Sequence, residues 1–592
     1  MLDKLKEKIQ SVRKYYAQIF FVAFFILSFI FLNIFISSTL FIFKVSINAV
    51  TVILSFFLSA WLNIYLLNKK KLLDKNKILN ILATIVLPIV IILASLYING
   101  KVLDYTWDGN SYQKATTGLL ATGWNPLYEH LEEFDAKSRQ SINIRDESPV
   151  YINHYPRAAS TFSANMHKIT GNIECGKAIN TLGIIMLFLF TLSFLMYKKK
   201  SIIFTLLFSI CTITYSVVCV QFLTNYIDLL VYIFLYLLFY CFFAFEEDDF
   251  ILQSKELLVM YFMILTISIN IKVSLFGYVG IFGFSYYICY IYRLIKKKMD
   301  KKFFWQFTVA STISVIMGVL VIGLSVYPKN LIEHGHPFYP LMGEGKVEIM
   351  EQNQPYYFRT KSALEKFIIA TFSKTEDIIA VSKDEAEYKI PFTFRQDEIN
   401  NVSAPDIRIS GNGVLFSGIL IISIIIIVCC LKNIFKTNKK QFIMCTILFS
   451  VTLLMILFLN ESWWARYFPQ IYLVVLASIL ILDNSDKKTW IKVFKYIFIF
   501  IILTNNFITF SGAIKRAYQK NIVFNNEFTA FENANYNEDN TLILYTKAFH
   551  GAKYNILDKY GKYNIIFKSD YSDKTGTEKK FFDGFLEWRC EK

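Results

Sequence analysis

Two acidic side chains stand just after a long apolar run, in the segment DYTWDGNSY at residues 104–112. A carboxylate at the edge of hydrocarbon can take a proton from an attacking hydroxyl, so Asp108 is a candidate general base. Asp104 and Tyr112 flank it as candidate substrate-binding residues. Asp is also a preferred residue at a helix N-cap, and Asp108 could simply begin a helix that runs to Gly123. Both interpretations of Asp108 are open on local sequence.

A second polar group occurs in HYPRAASTF, residues 154–162. His154, Tyr155 and Arg157 lie at the start of an expected short helix from Pro156 to about Thr170, and helix N-termini attract phosphate. These side chains could hold an anionic headgroup. Ordinary anchoring at a membrane interface by Tyr and Arg is the alternative.

Three charged residues fall at the ends of apolar runs: Asp228, Lys272 and Arg466. Ionisable groups at membrane depth are costly, and they are therefore candidates for function. Snorkelling is the alternative for Lys272 and Arg466. Arg466 is the stronger functional candidate, because the preceding Trp463 and Trp464 are expected to supply interfacial anchoring.

The densest polar cluster is YPKNLIEHGHPFYPLMG, residues 327–343. Its candidate binding residues are Tyr327, Lys329, Asn330, Glu333, His334 and His336. The cluster suits a phosphate- or sugar-binding corner. A divalent cation could be ligated by His334, His336 and Glu333, although their spacing matches no familiar zinc signature. No other cofactor is predicted.

Apolar blocks must position these groups. The chain has 592 residues, of which 55% are hydrophobic and 17% aromatic, and its mean hydropathy is +0.41. Blocks of about 18–25 apolar residues are long enough to cross a membrane as helices. The pattern predicts an all-α polytopic membrane protein with about thirteen spans, near 17–41, 44–67, 78–98, 179–197, 201–222, 227–245, 256–271, 274–292, 303–327, 413–434, 441–459, 467–483 and 491–513.

The distribution of lysine predicts the orientation. The net charge of +16 comes largely from short lysine clusters between apolar blocks, which is typical of cytoplasmic loops and unlike a nucleic-acid-binding surface. A cytoplasmic N-terminus then places the candidate residues outside the cytoplasm, in loops at about 99–178 and 328–412 and at outer span ends. All six histidines fall on that side. The expected location is the plasma membrane.

Three regions are expected along the chain. Residues 1–77 form a basic segment and a transmembrane hairpin, residues 78–513 the membrane core, and residues 514–592 a small soluble α/β tail. TLILYT and YNIIF in the tail are predicted strands. Seven of nine cysteines lie in apolar blocks, and the other two, Cys175 and Cys590, could form a disulfide if both face an oxidising space.

Several of these stretches, in this order, resemble the GT-C superfamily of membrane glycosyltransferases, above all its bacterial branch related to protein mannosyltransferases. The matching residues are Trp107, Asp108 and Tyr112; Tyr155-Pro156; Asn225 with Asp228; Lys272-Val273-Ser274; the corner from Tyr327 to Pro340; and Arg466-Tyr467. The similarity covers roughly residues 78–484. Two features depart from the family pattern: Gln113 stands where a histidine is common, and two additional spans precede the core.

The resemblance implies a GT-C-like core that transfers a sugar, of hexosyl type, from a polyprenyl phosphate. The acceptor would be a glycan, lipid or protein of the cell envelope, and membrane lipid surrounds the enzyme. Asp108 would activate the acceptor hydroxyl. Arg466, with Lys272 or the 327–336 corner, would neutralise charge on the departing phosphate, and direct displacement would invert the anomeric centre.

Three other functions fit parts of the pattern. A polysaccharide polymerase or ligase also uses polyprenyl-linked glycans, but usually has its key residues in a late loop. A transporter or flippase would be expected to have charges or broken helices at mid-membrane. Here the centres of the predicted spans are apolar, and the polar groups lie at their outer ends. A structural membrane protein would leave the one-sided polar cluster unexplained.

Overall fold

The computed structural model describes residues 15–70, 80–137, 148–247, 254–437, 439–485, 488–534, 539–546, 548–568, 574, 576 and 578–591. Residues 1–14, the start of the predicted region 1–77, lie outside these residues. Within them, the chain is a bundle of long apolar helices. The long loops and a small C-terminal sheet are gathered at one end of the bundle, called here the loop end.

Nine helices among the described residues are long and apolar enough to cross a membrane, by length and composition. They are Tyr16–Ile42, Ala49–Lys69, Leu82–Gly100, Ile173–Tyr197, Asp228–Phe245, Val273–Ile295, Lys301–Ile322, Lys439–Phe458 and Thr489–Glu532. Three shorter apolar helices are Ile202–Ile213, Phe416–Cys430 and Gln470–Asn484. A further helix, Ser254–Ile271, packs beside Val273–Ile295. Twelve of the thirteen predicted segments therefore coincide with one helix each, and the thirteenth, 201–222, contains two.

The predicted span 201–222 is interrupted. Its first part is the helix Ile202–Ile213, and a shorter helix, Ser216–Gln221, follows after Thr214 and Tyr215. The break places the Tyr215 hydroxyl between two acceptors, Asn412 Oδ1 at 2.8 Å and the Ala465 carbonyl oxygen at 3.0 Å. The interruption of this helix thus allows Tyr215 to hold the turn that carries Arg466.

The N-terminal helix is not a peripheral addition. Phe20 and Phe24 on Tyr16–Ile42 are fully buried, and Phe20 packs edge-on against Phe190 with ring centroids 5.3 Å apart. Its neighbour Ala49–Lys69 is more exposed, in keeping with a lipid-facing position. The predicted hairpin therefore contributes one of the central helices of the bundle.

Short helices fold the two long loops over the loop end. The first loop contains Gly109–Gln113, Lys114–Thr122, Leu131–Lys137, Ser148–His154, Ala158–Thr170 and Ile173–Lys177. The second contains Tyr327–His334, Ile349–Asn353, Tyr356–Thr360, Ala363–Phe372 and Gln396–Asn401. The helices expected at 109–122 and 156–170 are both present, and Gly123 and Gly171 end them with positive φ.

The C-terminal tail is a four-stranded sheet with one helix. The strands are β1 (Thr541–Thr546), β2 (Asn564–Lys568), β3 (Lys579–Phe581) and β4 (Leu586–Glu591), in the order β2-β1-β4-β3. β1 and β2 are parallel and are joined through the helix Lys553–Tyr560, whereas β4 is antiparallel to both β1 and β3. β1 and β2 are the two predicted strands.

The predicted boundary at residues 513/514 falls inside one continuous helix, Thr489–Glu532. The helix continues beyond the apolar run because Phe524, Phe528 and Phe531 pack into the core of the sheet. Both cysteines of the possible disulfide are free thiols: Cys175 is buried in the first loop and Cys590 lies on β4.

A candidate active site at the loop end

A cavity of about 930 Å³ opens at the loop end, within the size range of small-molecule sites. Its walls come from distant parts of the chain: Trp107, Asp108 and Tyr112; Tyr151 and Tyr155; Lys272; Asp406 and Arg408; Arg466 and Tyr467; and Ala548 of the tail. Of the fifteen residues predicted to form a site, five line this cavity: Asp108, Tyr112, Tyr155, Lys272 and Arg466.

Four charged side chains form a continuous chain along the cavity. Asp108 Oδ2 lies 2.6 Å from an Arg466 terminal nitrogen. The Arg466 Nε lies 3.3 Å from Asp228 Oδ2, and the other oxygen of Asp228 lies 2.5 Å from Lys272 Nζ. Two carboxylates and two cations thus alternate, and their charges sum to zero.

The two carboxylates of this row of charges differ in how far they are exposed, and the difference assigns them different roles. The Asp228 side chain is 1% exposed and also accepts a hydrogen bond from Gln221 Nε2 at 3.2 Å. The Asp108 side chain is 20% exposed and faces the cavity. Asp228 is therefore the buried counter-ion that holds the two cations, whereas Asp108 is the carboxylate that a ligand can reach.

Both cations remain charged in this setting. Burial alone lowers the pKa of Arg466, but the carboxylates of Asp108 and Asp228 outweigh burial and raise that pKa above its ordinary value. Burial also opposes the charge of Lys272, and Asp228 again outweighs it, so the pKa of Lys272 is raised. Lys272 Nζ lies 4.0 Å from the centre of the Tyr467 ring, a cation–π contact that further favours the ammonium.

Asp108 does not cap a helix. Its backbone angles are helical, and its side chain makes no capping hydrogen bond, so the carboxylate is directed to Arg466 instead. The preceding carboxylate fixes this geometry. Asp104 is fully buried and accepts from Thr106 N and Oγ1 and from the backbone and side-chain nitrogens of Asn225. The structure does not place Asp104 at the cavity.

Gly109 allows that close packing. A Cβ at this position would lie 2.3 Å from Asp104 Oδ2 and from Thr106 Oγ1, so no other residue fits without displacing them. The hydrogen bonds of Asp104 also tie the start of the Asp108 helix to the turn before Asp228. The two carboxylates of the charge chain are therefore held by one connected set of contacts.

Arg466 is positioned by a short turn between two apolar helices. It lies in the 3-10 turn Ala465–Tyr467, and the Trp464 indole donates to the Ile407 carbonyl at 3.0 Å. The expectation that Trp463 and Trp464 anchor the membrane interface is wrong. Both are buried, stack on each other at 5.3 Å and pack in a loop core with Phe358, because the 328–412 loop folds over them.

Three tyrosines form an aromatic wall beside Asp108. The ring centroids of Tyr112 and Tyr151 lie 5.4 Å apart, and those of Tyr151 and Tyr155 lie 5.1 Å apart. The Tyr112 hydroxyl donates weakly to Asp108 Oδ2 at 3.5 Å. Burial raises the pKa of Tyr112 and of Tyr155 well above the ordinary value, so both hydroxyls stay protonated as donors.

Several predicted binding residues are engaged in the scaffold. Arg157 is buried and donates to the carbonyls of Ile152 and Asn153 and to Ser325. Tyr327 is buried and donates to the Ile269 carbonyl, and Lys329 donates to the Pro126 carbonyl at 3.0 Å. These groups join the two loops to each other and to the bundle, and none of them lines the cavity.

The remaining predicted residues gather in a second cluster. His154 Nδ1 lies 2.8 Å from Asn330 Oδ1, and the His154 and His334 rings are 4.9 Å apart. His154, Glu333 and His334 present ligand atoms within 4.8 Å of one another. His336, expected beside His334 in a metal set, instead accepts from the Phe338 amide at 3.1 Å, because the turn at Gly335 carries it away.

Asp406 and Arg408 also line the cavity, although neither is predicted from the sequence. They lie in an irregular part of the second loop, where no local pattern indicates that a side chain faces a cavity. Ala548 was also missed, and it brings the tail to the site. Phe549 stacks on Phe585 at 4.0 Å, and Trp107 packs against both rings.

Another cavity, of about 510 Å³, lies at the opposite end of the bundle. Lys198 and Lys200 on its rim pair with Glu247 and Asp483, at 2.8 and 2.6 Å. Apolar side chains of five helices make up most of its walls. The loop-end cavity is larger and brings Asp108, Lys272 and Arg466 together from distant parts of the chain, so it is the better candidate for chemistry.

No protein-family model matches the chain, and no curated protein matches it by sequence. Among solved structures, the fold aligns with the crystal structure of ArnT from Cupriavidus metallidurans bound to undecaprenyl phosphate. The alignment covers 83% of this chain and 87% of that chain, with 10% sequence identity and a TM-score of 0.44.

Proposed function

We propose that this protein is a membrane glycosyltransferase of the GT-C type, with Asp108 as its general base. The donor is a sugar linked to a polyprenyl phosphate, and the acceptor is a hydroxyl-bearing glycan, lipid or protein of the cell envelope. The observation that carries this proposal is the charge chain. It sets a reachable carboxylate 2.6 Å from a guanidinium, on the wall of a cavity at the ends of apolar helices.

The charge chain suits the movement of charge in such a transfer. The acceptor oxygen attacks the anomeric carbon, its proton passes to Asp108, and the bond between that carbon and the phosphate oxygen breaks. Asp108 loses one negative charge while the departing phosphate gains one. The total charge of the site is unchanged, and Arg466 exchanges the carboxylate for the phosphate as its partner.

Lys272 and Arg466 have complementary roles in this mechanism. A guanidinium carries five N–H donors in a planar arrangement, so Arg466 can contact Asp228 and a phosphate together. Lys272 adds a point charge from the adjacent wall of the cavity. Asp228 stays ionised and buried, and keeps both cations in place. Displacement in one step inverts the anomeric configuration.

The direct test is transfer of radiolabelled sugar from a polyprenyl-phosphate donor to envelope acceptors by the purified protein. Asp108→Asn keeps the shape of the side chain but removes the base, and should reduce transfer about 100-fold or more. Asp300→Asn is the matched control. Asp300 caps the helix Lys301–Met317 and does not line the cavity. Asparagine caps a helix as well as aspartate does.

Asp406→Asn tests the other carboxylate on the cavity wall. The proposal expects the larger loss from Asp108→Asn. Near-normal transfer by Asp108→Asn together with loss in Asp406→Asn would reassign the base. Movement of the lipid across vesicles without any sugar transfer would contradict the enzyme proposal and favour a transporter.

A further inference from the structure

A cluster of imidazole and carboxylate groups lies beside the cavity but takes no part in the proposed transfer. It contains His154, Glu333 and His334, which come from the ends of two loop helices, Ser148–His154 and Tyr327–His334. Their ligand atoms lie within 4.8 Å of one another. Two imidazole nitrogens and one carboxylate oxygen are a ligand set that suits zinc.

Asn330 orients the most buried of these ligands. Its amide nitrogen donates to the carbonyls of His154 and Tyr339, at 3.1 and 2.9 Å, so its amide oxygen must face the His154 ring. An oxygen can only accept, and His154 Nδ1 at 2.8 Å is therefore the protonated nitrogen. The lone pair of a neutral His154 is then on Nε2. A histidine ligand of a metal is commonly held in this way.

The other two ligands are also held in place. The His334 ring stacks on Tyr339 with centroids 3.6 Å apart and planes only 3° from parallel. Glu333 Oε1 lies 3.1 Å from His130 Nε2, and the His130 and His154 ring centroids lie 5.8 Å apart. Tetrahedral zinc requires ligand atoms roughly 3.3 Å apart. The ligand atoms, which lie within 4.8 Å of one another, must therefore draw closer when a metal binds.

We infer that His154, Glu333 and His334 form a binding site for a divalent transition metal, with zinc the best match, separate from the transfer chemistry. The metal joins the two loop helices. Tyr151 and Tyr155, which line the cavity, lie on either side of His154 within three residues of it. A bound ion would therefore hold the aromatic wall of the active site in position.

The test measures metal binding directly and needs no substrate, so its outcome is independent of the proposed transferase activity. The full-length protein is purified in detergent, stripped with a chelator, and titrated with Zn²⁺ in competition with a chromogenic chelator. Bound zinc is counted by mass spectrometry of the metal. We expect one zinc per chain, and a rise in the melting temperature on adding zinc.

Variants identify the ligands. His334→Ala and Glu333→Gln change partly exposed side chains and should fold, and each should weaken zinc binding at least 100-fold. His336→Ala removes a histidine only two residues from His334 and should bind zinc as the unchanged protein does. His130→Ala, which removes the support of Glu333, should weaken binding 10- to 100-fold. Equal effects of His334→Ala and His336→Ala, or no stoichiometric zinc in the unchanged protein, would overturn the inference.

Discussion

Replacing Asp228 should lower the stability of the fold. Asp228 is 1% exposed and is the common partner of Lys272, at 2.5 Å, and of Arg466, at 3.3 Å. Asp228→Asn leaves Lys272, a cation only 12% exposed, without its counter-ion. Breaking a buried ion pair from one side costs about 3–5 kcal/mol of unfolding free energy. The retained amide oxygen can still accept a hydrogen bond, so we expect about 3 kcal/mol.

A double-mutant cycle separates this effect from a loss of packing. Lys272→Met removes the cation and keeps the apolar stem. The Asp228→Asn/Lys272→Met protein should recover at least about 2 kcal/mol relative to the sum of the single changes, because no unpaired charge stays buried. Arg466 keeps Asp108 as its partner in every arm of the cycle.

The assay is equilibrium unfolding in mixed detergent micelles, followed by tryptophan fluorescence. Asp377→Asn is the matched control. Asp377 also pairs with an arginine, Arg408, at 2.7 Å, but its side chain is 41% exposed, so the change should cost at most about 1 kcal/mol. Additive single-mutant effects, or a loss for Asp377→Asn as large as that for Asp228→Asn, would refute the assignment of Asp228 as a buried counter-ion.

Two further changes test the neighbours of the site. Gly551→Ala should weaken docking of the tail by about 1–3 kcal/mol, since a Cβ there would lie 2.7 Å from Ala115 N and from the Asn110 carbonyl oxygen. Weaker docking would be measured as faster limited proteolysis of the tail. Tyr112→Phe should slow sugar transfer less than tenfold, because the Tyr112 hydroxyl lies 3.5 Å from Asp108 and makes only a weak hydrogen bond. A loss of transfer equal to that of Asp108→Asn would instead give Tyr112 a direct chemical role.

The sequence predicted the parts of this structure that depend on local pattern. Runs of about twenty apolar residues predicted all thirteen helical segments. The approach of Asp108, Lys272 and Arg466 was predictable because each stands at the end of an apolar run on the same inferred side. Side chains at the same end of a helical bundle share a small area, so three of them can readily come into contact.

Contacts between distant loops were not predictable in the same way. Trp463 and Trp464 have the composition of an interfacial anchor, and only the fold of a loop a hundred residues earlier buries them. His154 joins Glu333 and His334 across some 180 residues, whereas local spacing pointed to His336. Asp406 lies in a segment without periodicity, so nothing in its neighbours indicated that it faces a cavity. Each of these depends on tertiary packing.

The helix Thr489–Glu532 fixes the angle about its own axis at which the tail is attached to the bundle. Its 44 residues span about 66 Å without interruption. Arg516 on this helix bonds to Ser403 of the second loop, and Lys520, one turn later, pairs with Asp583 of the tail.

A single residue inserted between Arg516 and Lys520 would turn the whole sheet by about 100° and move Ala548 away from the cavity. Seven inserted residues would restore the angle to within about 20° but raise the sheet by about 10 Å. The length of this helix is therefore as much a determinant of the cavity as any residue that lines it.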